Sequence, residues 1–405
     1  MIHTWKKYKL SEIGSVVGGA TPSTTVDAYY NGDIPWLTPK DLSNFHERYI
    51  ERGERNITKS GLNSCSAQLL PAGSVLFSSR APIGYVAIAK NPIATNQGFK
   101  SIIPNPEKVD SLFLYYLLKY NKDNIEAMGS GTTFKEVSGA TMKNIEVYLP
   151  EDLEEQRRIA GILESLDDKI ELNRRINANL EAQAQALFRS WFVDFEPFRV
   201  GPFVDSELGK IPQGWKVGAA SEFYKNITIG KTPPRKEHQW FSKESHDIVW
   251  VSIADMGNCG LSICNSSEYL TPEAIKKFNI CIVPVNKVLL SFKLTIGRVA
   301  IADKELATNE AIAHFQTQHN TLEYTYLALK NYEFSSLGST SSIATAVNSK
   351  IIKSMPWMMP SDDVLNQFHN VLSPIFNGIR NNIQEITRLS ALRDTLLPKL
   401  MAGEF

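Results

Sequence analysis

The sequence predicts an α+β protein in which two mixed α/β domains follow one another and each is succeeded by a long helix. Three observations lead to this fold class: an internal repeat, short β-branched runs separated by loop-forming residues, and two stretches with heptad-spaced apolar residues. We place the first domain at 1–150 and the central helix at 151–199. A linker and the second domain occupy 200–361, and the C-terminal helix occupies 362–405.

The internal repeat has a period of about 210 residues. The matching segments are GATP at 19–22 with GKTP at 230–233, IPWLT at 34–38 with IVWVS at 248–252, VLFSSRAPIGYVAIA at 75–89 with VLLSFKLTIGRVAIA at 288–302, ATN at 94–96 and 307–309, and GS at 129–130 and 338–339. Because both copies lie in one chain, each residue of one copy can be compared with its counterpart in the other.

The first part of each copy has the pattern of a mixed α/β domain. Short runs at 73–77 and 86–89 contain β-branched residues and predict strands, whereas apolar stretches at 112–118 and 322–329 predict short helices. Clusters of Gly, Pro, Ser and Thr between them are typical of loops. Trp36 and Trp250 lie in matching apolar strand patterns, which favours packing in the domain core over stacking on a ligand.

The second part of each copy carries apolar residues at alternating spacings of four and three, which is typical of a coiled-coil seam. Two such helices of matching length favour pairing with each other, although each could instead be an amphipathic helix packed on its own domain. Asparagine at a seam position costs stability but can fix the register. The predicted seam residues are Leu163, Leu166, Ile170, Asn173 and Leu180 in the first helix and Leu372, Ile375, Ile379, Asn382 and Leu389 in the second.

Composition and charge set broad limits on function. The net charge is zero overall but is +3, −4, +2 and −1 in the four successive segments. This alternation favours DNA contact by the first and third segments, although a surface of mixed charge accounts for it nearly as well. The four cysteines lack the spacing of a zinc site and are expected to be thiols in a reducing cytoplasm. No apolar run has the length of a membrane span, and Met1–Leu10 lacks the apolar core of a secretion signal.

The motifs of several enzyme classes are missing. Gly230-Lys231-Thr232 resembles the end of a phosphate-binding loop, but Lys225 stands where the leading glycine is needed and two prolines follow. No Asn-Pro-Pro-aromatic sequence of an amino-methyltransferase is present. The seven histidines are scattered and form neither a metal-binding motif nor a close acid–histidine pair. The sequence therefore predicts no catalytic and no metal site in this chain.

Four further stretches carry a resemblance to a known family. They are PEDLEEQRRI at 150–159, LFRSWFVDFEP at 187–197, ELGKIPQGW at 207–215 and LRDTLLPKL at 392–400. In this order, and with the tandem repeat, the chain resembles the specificity subunit of type I restriction–modification enzymes over essentially its whole length.

The resemblance implies a division of labour among subunits. Each globular domain would be a target recognition domain that reads one half of a split site on double-stranded DNA, and the two helices would form an antiparallel coiled coil that separates the domains. Two methylation subunits would dock on the helices, and motor-nuclease subunits would add cleavage. S-adenosylmethionine, Mg²⁺ and ATP would bind these partners, with no cofactor in this chain. Two seam positions differ between the copies: Ile386 stands against Asn177, and Arg393 against Ala184.

Comparison of the two copies also predicts DNA-contacting residues. Arg80 and Lys293 are both basic at matched positions, which suggests a phosphate or guanine contact, with a solvated surface charge as the alternative. Matched positions that differ are candidates to read different half-sites. These are Thr24 with Arg235, Lys40 with Ala254, Ser79 with Phe292, and Thr133 and Lys135 in a loop matched by Ser342.

Two other functions stay open on the sequence. The chain could be an autonomous DNA-modifying enzyme, against which the missing methyl-transfer motifs count. It could also be a scaffold whose domains bind protein or sugar, which salt-dependent binding to duplex DNA would exclude.

Overall fold

The computed structural model of the chain describes residues 5–131, 135–337 and 347–404. The chain divides into two compact units, one of residues 1–172 and 385–405 and the other of residues 173–384. This division differs from the four segments expected from sequence, since each unit contains one half of both long helices. The globular part of each unit shares a hydrophobic core with those helix halves.

Among the described residues, the first unit contains ten strands, five short helices and one half of each of the two long helices. The strands are β1 (Trp5–Lys9), β2 (Gly14–Gly18), β3 (Tyr30–Leu37), β4 (Tyr49–Ile50), β5 (Arg55–Ile57), β6 (Val75–Ser79), β7 (Ile83–Ala89), β8 (Ala94–Thr95), β9 (Lys100–Pro104) and β10 (Glu146–Pro150). The helices are α1 (Leu10–Ile13), α2 (Lys59–Asn63), α3 (Ser111–Tyr120), α4 (Lys122–Ala127), α5 (Gly139–Asn144) and the long α6 (Leu153–Phe192).

A five-stranded sheet in the order β2-β9-β6-β7-β4 is the centre of the first unit. Its middle strands β6 and β7 are antiparallel, with Val75 opposite Ile88 and Phe77 opposite Val86. Beside it lie a three-stranded sheet, β5-β3-β8, and the pair β1-β10. Every residue of β6 is buried, as expected for the middle strand of a sheet covered on both faces.

The second unit contains the remaining elements. Its strands are β11 (Phe203–Ser206), β12 (Gly209–Pro212), β13 (Lys216–Ala219), β14 (Thr228–Ile229), β15 (Phe241–Ser242), β16 (Ile248–Val251), β17 (Ser262–Ile263), β18 (Glu268–Leu270), β19 (Val288–Ser291), β20 (Val299–Ala302), β21 (Ala307–Thr308), β22 (Ile312–Phe315) and β23 (Pro356–Met359). Its helices are α7 (Ala220–Phe223), α8 (Ile253–Asn258), α9 (Pro272–Phe278), α10 (Leu322–Lys330), α11 (Ser349–Ser354), the second half of α6 and the first half of α12 (Asp362–Met401).

The sheet topology of the first unit is repeated in the second. The five-stranded sheet has the order β14-β22-β19-β20-β17, a four-stranded sheet has the order β15-β18-β16-β21, and β13 pairs with β23. Trp36 and Trp250 are both buried, and each indole donates to a backbone carbonyl at matched positions, Ala20 and Lys231 respectively. The core role predicted for these tryptophans is confirmed. So is the predicted fold class, with its two tandem α/β domains and long helices.

The long helices α6 and α12 run antiparallel within each unit. In the first unit Leu163 shares a core with Leu400 and Met401. In the second unit Ala184 and Phe188 share a core with Leu372 and Ile379.

Seam asparagines are also paired in the second unit. The Asn382 side-chain amide donates to Oδ1 of Asn177 at 2.8 Å, and Asn177 donates to the carbonyl of Ile379 at 3.4 Å. Of the other predicted seam residues, Ile170 and Asn173 are buried, whereas Leu166, Leu180, Ile375 and Leu389 are half-buried. No helix of the described segments has both the length and the apolar character needed to cross a membrane, and this includes the two 40-residue helices.

Candidate nucleic-acid interface

Two matched hairpin loops present side chains to solvent from the central sheets. Tip loop 1 comprises residues 80–84, which connect β6 to β7 and include the first two residues of β7. Tip loop 2 comprises residues 292–297 between β19 and β20. In tip loop 1 the hydroxyl of Ser78 donates to the Pro82 carbonyl at 2.8 Å and accepts from the Tyr85 amide at 2.8 Å.

The counterpart of this arrangement lies beside tip loop 2. Ser291 donates to the Thr295 carbonyl at 2.6 Å and accepts from the Arg298 amide at 3.0 Å. The two loops thus share the same hydrogen bonds to a serine hydroxyl and carry different side chains at the tip.

A polar cluster lies beside tip loop 1. Glu136 accepts from Arg80 Nη1 at 3.4 Å through one carboxylate oxygen and from Lys100 Nζ at 3.2 Å through the other. Lys100 is largely buried, whereas Arg80 and Glu136 are each about one-third exposed, at 34% and 35%. With two cations for one carboxylate, the cluster keeps a net positive charge, and Lys135 beside it in sequence is exposed. Such a cluster can attract a phosphate group.

A second matched pair lies just after the short strands β8 and β21. Thr21 donates a hydrogen bond to the side-chain amide oxygen of Gln97, and Thr232 donates one to the carboxylate of Glu310. Gln97 and Glu310 are both exposed. The same threonine therefore orients an amide in one copy and a carboxylate in the other.

The charge of Glu310 is stabilised by its surroundings. Partial burial opposes ionisation, but the hydrogen bond from Thr232, backbone hydrogen bonding and the charges of Lys293 and Arg235 outweigh it. Together they hold the pKa of the Glu310 carboxyl below its usual range. The group is a carboxylate at neutral pH and acts as a hydrogen-bond acceptor only.

Arg235 is held over an aromatic platform in the second unit. Its guanidinium carbon lies 4.5 Å from the ring centroids of both Phe241 and Trp250. Its Nη1 donates to both oxygens of Glu268, at 2.9 and 2.8 Å. Stacking and the ion pair orient the guanidinium while about half of the side chain stays exposed.

The other residues predicted to contact DNA fall into three groups. Thr24, Lys40 and Lys293 are exposed, and Lys40 forms a surface ion pair with Glu54 at 3.2 Å. Thr133 and Ser342 lie outside the described residues.

Ser79 and Phe292 are buried and require a correction. Ser79 is the last residue of β6, not a loop residue, and its hydroxyl donates to the Gly98 carbonyl at 3.2 Å. Phe292 packs in the hydrophobic core of the second unit. Neither side chain can touch a base without unfolding its surroundings, so we do not retain them as readers.

Comparison with known proteins identifies the family. The model of the type I restriction modification DNA specificity domain matches residues 2–182 and 212–389. The chain is 38% identical over 410 aligned positions to the type I restriction enzyme MjaIX specificity subunit of Methanocaldococcus jannaschii, covering 99% of this chain and 93% of that one. The chain belongs to the type I restriction–modification DNA specificity family.

Other similarities span nearly the whole chain. The type I restriction enzyme HindI specificity subunit of Haemophilus influenzae is 25% identical, with 99% of each chain covered. The crystal structure of the type I restriction–modification S subunit from M. genitalium superposes with a TM-score of 0.57 at 15% identity, covering 98% of this chain and 96% of that one. At this identity the structural match supports the fold alone.

In this specificity-family chain, comparison of the two internal copies by sequence alone missed two pairs of exposed positions. Gln97 and Glu310 directly follow the matched ATN segments, and Ala81 and Leu294 lie inside the matched 15-residue run. A residue-by-residue comparison of the two copies would have found both pairs, because the two residues of each pair differ in chemistry. Their exposure and fixed backbone, which make them candidates, required the structure.

A buried arginine joins the globular part of the first unit to α6. Arg48 is 4% exposed, and its Nε donates to Glu171 at 3.1 Å, with an ion pair to Asp168 and another to Glu164 at 3.4 Å. The three carboxylates recur at spacings of four and three, so they lie on one face of α6. The helix therefore orients the domain that would carry the DNA-contacting loops of this unit.

Proposed function

We propose that this chain is the DNA-reading subunit of a type I restriction–modification complex and has no catalytic activity alone. Each domain reads one half of a split target on double-stranded DNA. Two methylation subunits dock on the long helices, and motor-nuclease subunits complete the complex. The partners bind S-adenosylmethionine, Mg²⁺ and ATP.

One observation carries the proposal: the same loop framework is built twice, with different exposed side chains on it. Arg80 and Ala81 in tip loop 1 correspond to Lys293 and Leu294 in tip loop 2. A repeated framework suits contacts that both half-sites share, such as phosphates. Differing side chains suit half-sites of different sequence.

The proposal assigns the methyl-transfer and cleavage chemistry to the partner subunits. In the described segments 5–131, 135–337 and 347–404, no cluster of three or more His, Cys, Asp or Glu side chains could hold a metal ion. The family to which the chain belongs supplies sequence specificity, so the methyl-transfer chemistry is assigned to a partner.

The test is to sequence methylated adenines genome-wide in the host with and without this chain. We expect one split motif to disappear with the chain. Replacing 1–150 by the first domain of another family member should change one half of that motif and leave the other. The purified chain alone should transfer no methyl group to the mapped duplex.

Three results would contradict the proposal. They are methyl transfer by the isolated chain, an unchanged methylome after its removal, and a domain exchange that changes both half-sites together. An unchanged methylome combined with salt-independent association would favour the scaffold function instead.

A further inference from the structure

Leu294 is a large apolar side chain at the outermost point of tip loop 2. It is 99% exposed, so its isobutyl group contacts almost no protein atom. Its neighbour Lys293 is also exposed. A single exposed leucine is common on protein surfaces, so exposure alone would not make this residue functional.

The backbone at Leu294 gives a second, independent observation. Its φ is +61°, in the left-handed region that bulky side chains rarely adopt. The amide of Thr295 donates to the carbonyl of Lys293 at 2.7 Å, which closes a three-residue γ-turn around Leu294. A γ-turn with positive φ is rare and strained, and strained residues of this kind concentrate at functional sites.

The surrounding hydrogen bonds keep this turn in place. Ser291 binds both the Thr295 carbonyl and the Arg298 amide, and the Gly297 amide donates to the Ser291 carbonyl at 3.0 Å. The leucine is thus presented on a fixed backbone at the end of the antiparallel β19–β20 pair, where Leu290 lies opposite Val299. A contact made through it loses little conformational entropy in the backbone.

The first unit has a residue with positive φ and a smaller side chain at the matched position. Ala81 occupies the matched position with φ +54°, and the glycines that end the two loops have φ +97° at Gly84 and +90° at Gly297. Ala81 is exposed. The positive φ is therefore common to both copies, whereas the γ-turn hydrogen bond belongs to the second, because Pro82, the counterpart of Thr295, has no amide hydrogen. The apolar side chain at this position is also longer in the second copy.

We propose that Leu294 is a specificity-determining residue that contacts the C5-methyl group of a thymine in the half-site read by the second domain. This inference rests on the proposed function. A leucine side chain has no hydrogen-bonding group, and the thymine methyl is the apolar feature that the major groove displays. That groove admits a two-stranded β-ribbon, and the exposed ammonium of Lys293 can bind a flanking phosphate.

The experiment uses the complex of this chain with its methylation partner subunits and a duplex carrying the methylation motif mapped in the host. Each thymine of the second half-site is replaced singly by deoxyuridine, which removes only the methyl group. The dissociation constant of each duplex is measured for the wild-type complex and for Leu294→Ala. Leu208→Ala, an exposed leucine in the β11–β12 turn, is the matched control.

We expect one deoxyuridine to weaken the wild-type complex about fourfold, the affinity equivalent of one buried methyl group. The same replacement should weaken the Leu294→Ala complex by less than about 1.5-fold, since the methyl has then lost its partner. Leu208→Ala should respond as the wild type does. Leu294→Met should retain most of the thymine preference.

The outcomes separate this inference from the function on which it rests. If the methylome does not depend on this chain, both are overturned. If the motif is mapped and bound, two results overturn the Leu294 contact alone. One is a second half-site without thymine, and the other is equal deoxyuridine effects in wild type and Leu294→Ala, in which case the variant loses the same affinity for every duplex.

Discussion

Arg393 donates from Nη1 to Oδ1 of Asp167 at 2.8 Å, which joins α12 to α6 inside the first unit. Asp167 is 6% exposed and also accepts from the hydroxyl of Tyr116 at 2.8 Å. The helix pair therefore has a largely buried ion pair at its contact within the first unit. Removing one partner of a buried pair leaves the other charged and desolvated.

Arg393→Met should lower the free energy of unfolding by about 3 kcal/mol, because Asp167 then stays buried without its cation. Combining it with Asp167→Asn should cost less than the sum of the two single changes. Urea unfolding of the four proteins measures both quantities. Arg388→Met, an exposed arginine on the same helix, should change stability by no more than about 0.5 kcal/mol. Additive effects would show that the pair is not coupled.

At the seam asparagine pair too, changing one partner should destabilise the protein more than changing both. Asn382→Leu alone should cost about 1–2 kcal/mol, because the buried Oδ1 of Asn177 loses its donor. Leucine at both positions should recover that loss, since an apolar seam replaces the polar pair. Chemical unfolding of the wild type, the single variants and the double variant measures these free energies. Asn381→Leu, on the exposed side of α12, is the control. A double variant less stable than Asn382→Leu would contradict this reasoning.

Basic residues of the tip loops should contribute through phosphate contact. Arg80→Ala and Lys293→Ala should each reduce the slope of log affinity against log salt by about 0.9 per lost contact, so the loss of affinity is greatest at low salt. Titrations of the mapped duplex at several salt concentrations give this slope. Lys59→Ala and Lys276→Ala remove exposed lysines from α2 and α9 as controls. Slopes equal to the wild type in both variants would leave Arg80 and Lys293 as ordinary surface charges.

Glu310 and Gln97 should specify different bases from equivalent positions. A carboxylate accepts from the cytosine amino group, whereas an amide pairs with adenine through both a donor and an acceptor. Glu310→Gln should therefore change the preference at one position of the second half-site, by about 1–3 kcal/mol between the two bases.

Methylome sequencing of the Glu310→Gln variant tests this expectation. Glu305→Gln removes the same charge from an exposed residue that precedes β21 in the chain and should leave the motif unchanged. An unchanged motif in both variants would mean that Glu310 does not read a base.

His314 should make the second unit sensitive to acid. Its ring lies buried between the hydroxyls of Thr228, at 2.9 Å, and Thr308, at 2.7 Å, and burial lowers its pKa to about 4. Unfolded histidine titrates near pH 6.5, so between about pH 6.5 and 4 the unfolded state binds more protons than the folded state. Stability contributed by the neutral ring is complete above pH 6.5 and falls as the pH is lowered through this window.

Urea unfolding at about pH 7.5 and 5.5 measures the effect, for which we expect a loss of about 1 kcal/mol attributable to this group. His314→Gln should be less stable at the higher pH but should show a smaller loss on acidification. His238→Gln, at an exposed histidine, should retain the wild-type dependence. Identical pH dependence in all three proteins would exclude His314 as the source.

Several features of this protein follow from residue order. The repeat, the alternation of domain and helix, and the apolar seam were all visible as local spacing, because a strand or helix imposes its period on the residues that it buries. Leu163 and Ile379 were assigned to the seam on spacing alone, and both are buried there. The resemblance to the specificity family also required only short motifs in the right order.

Other features arise from contacts between residues far apart in the chain. Arg48 meets Glu171, Asp167 meets Arg393, and Thr21 meets Gln97, and no local period reports such pairs. Burial at the end of a strand also depends on what packs over it. Ser79 and Phe292 therefore looked like loop residues although they face the protein interior. The three-dimensional packing of each unit selects which of the differing residues reach solvent, and so which of them can read a base.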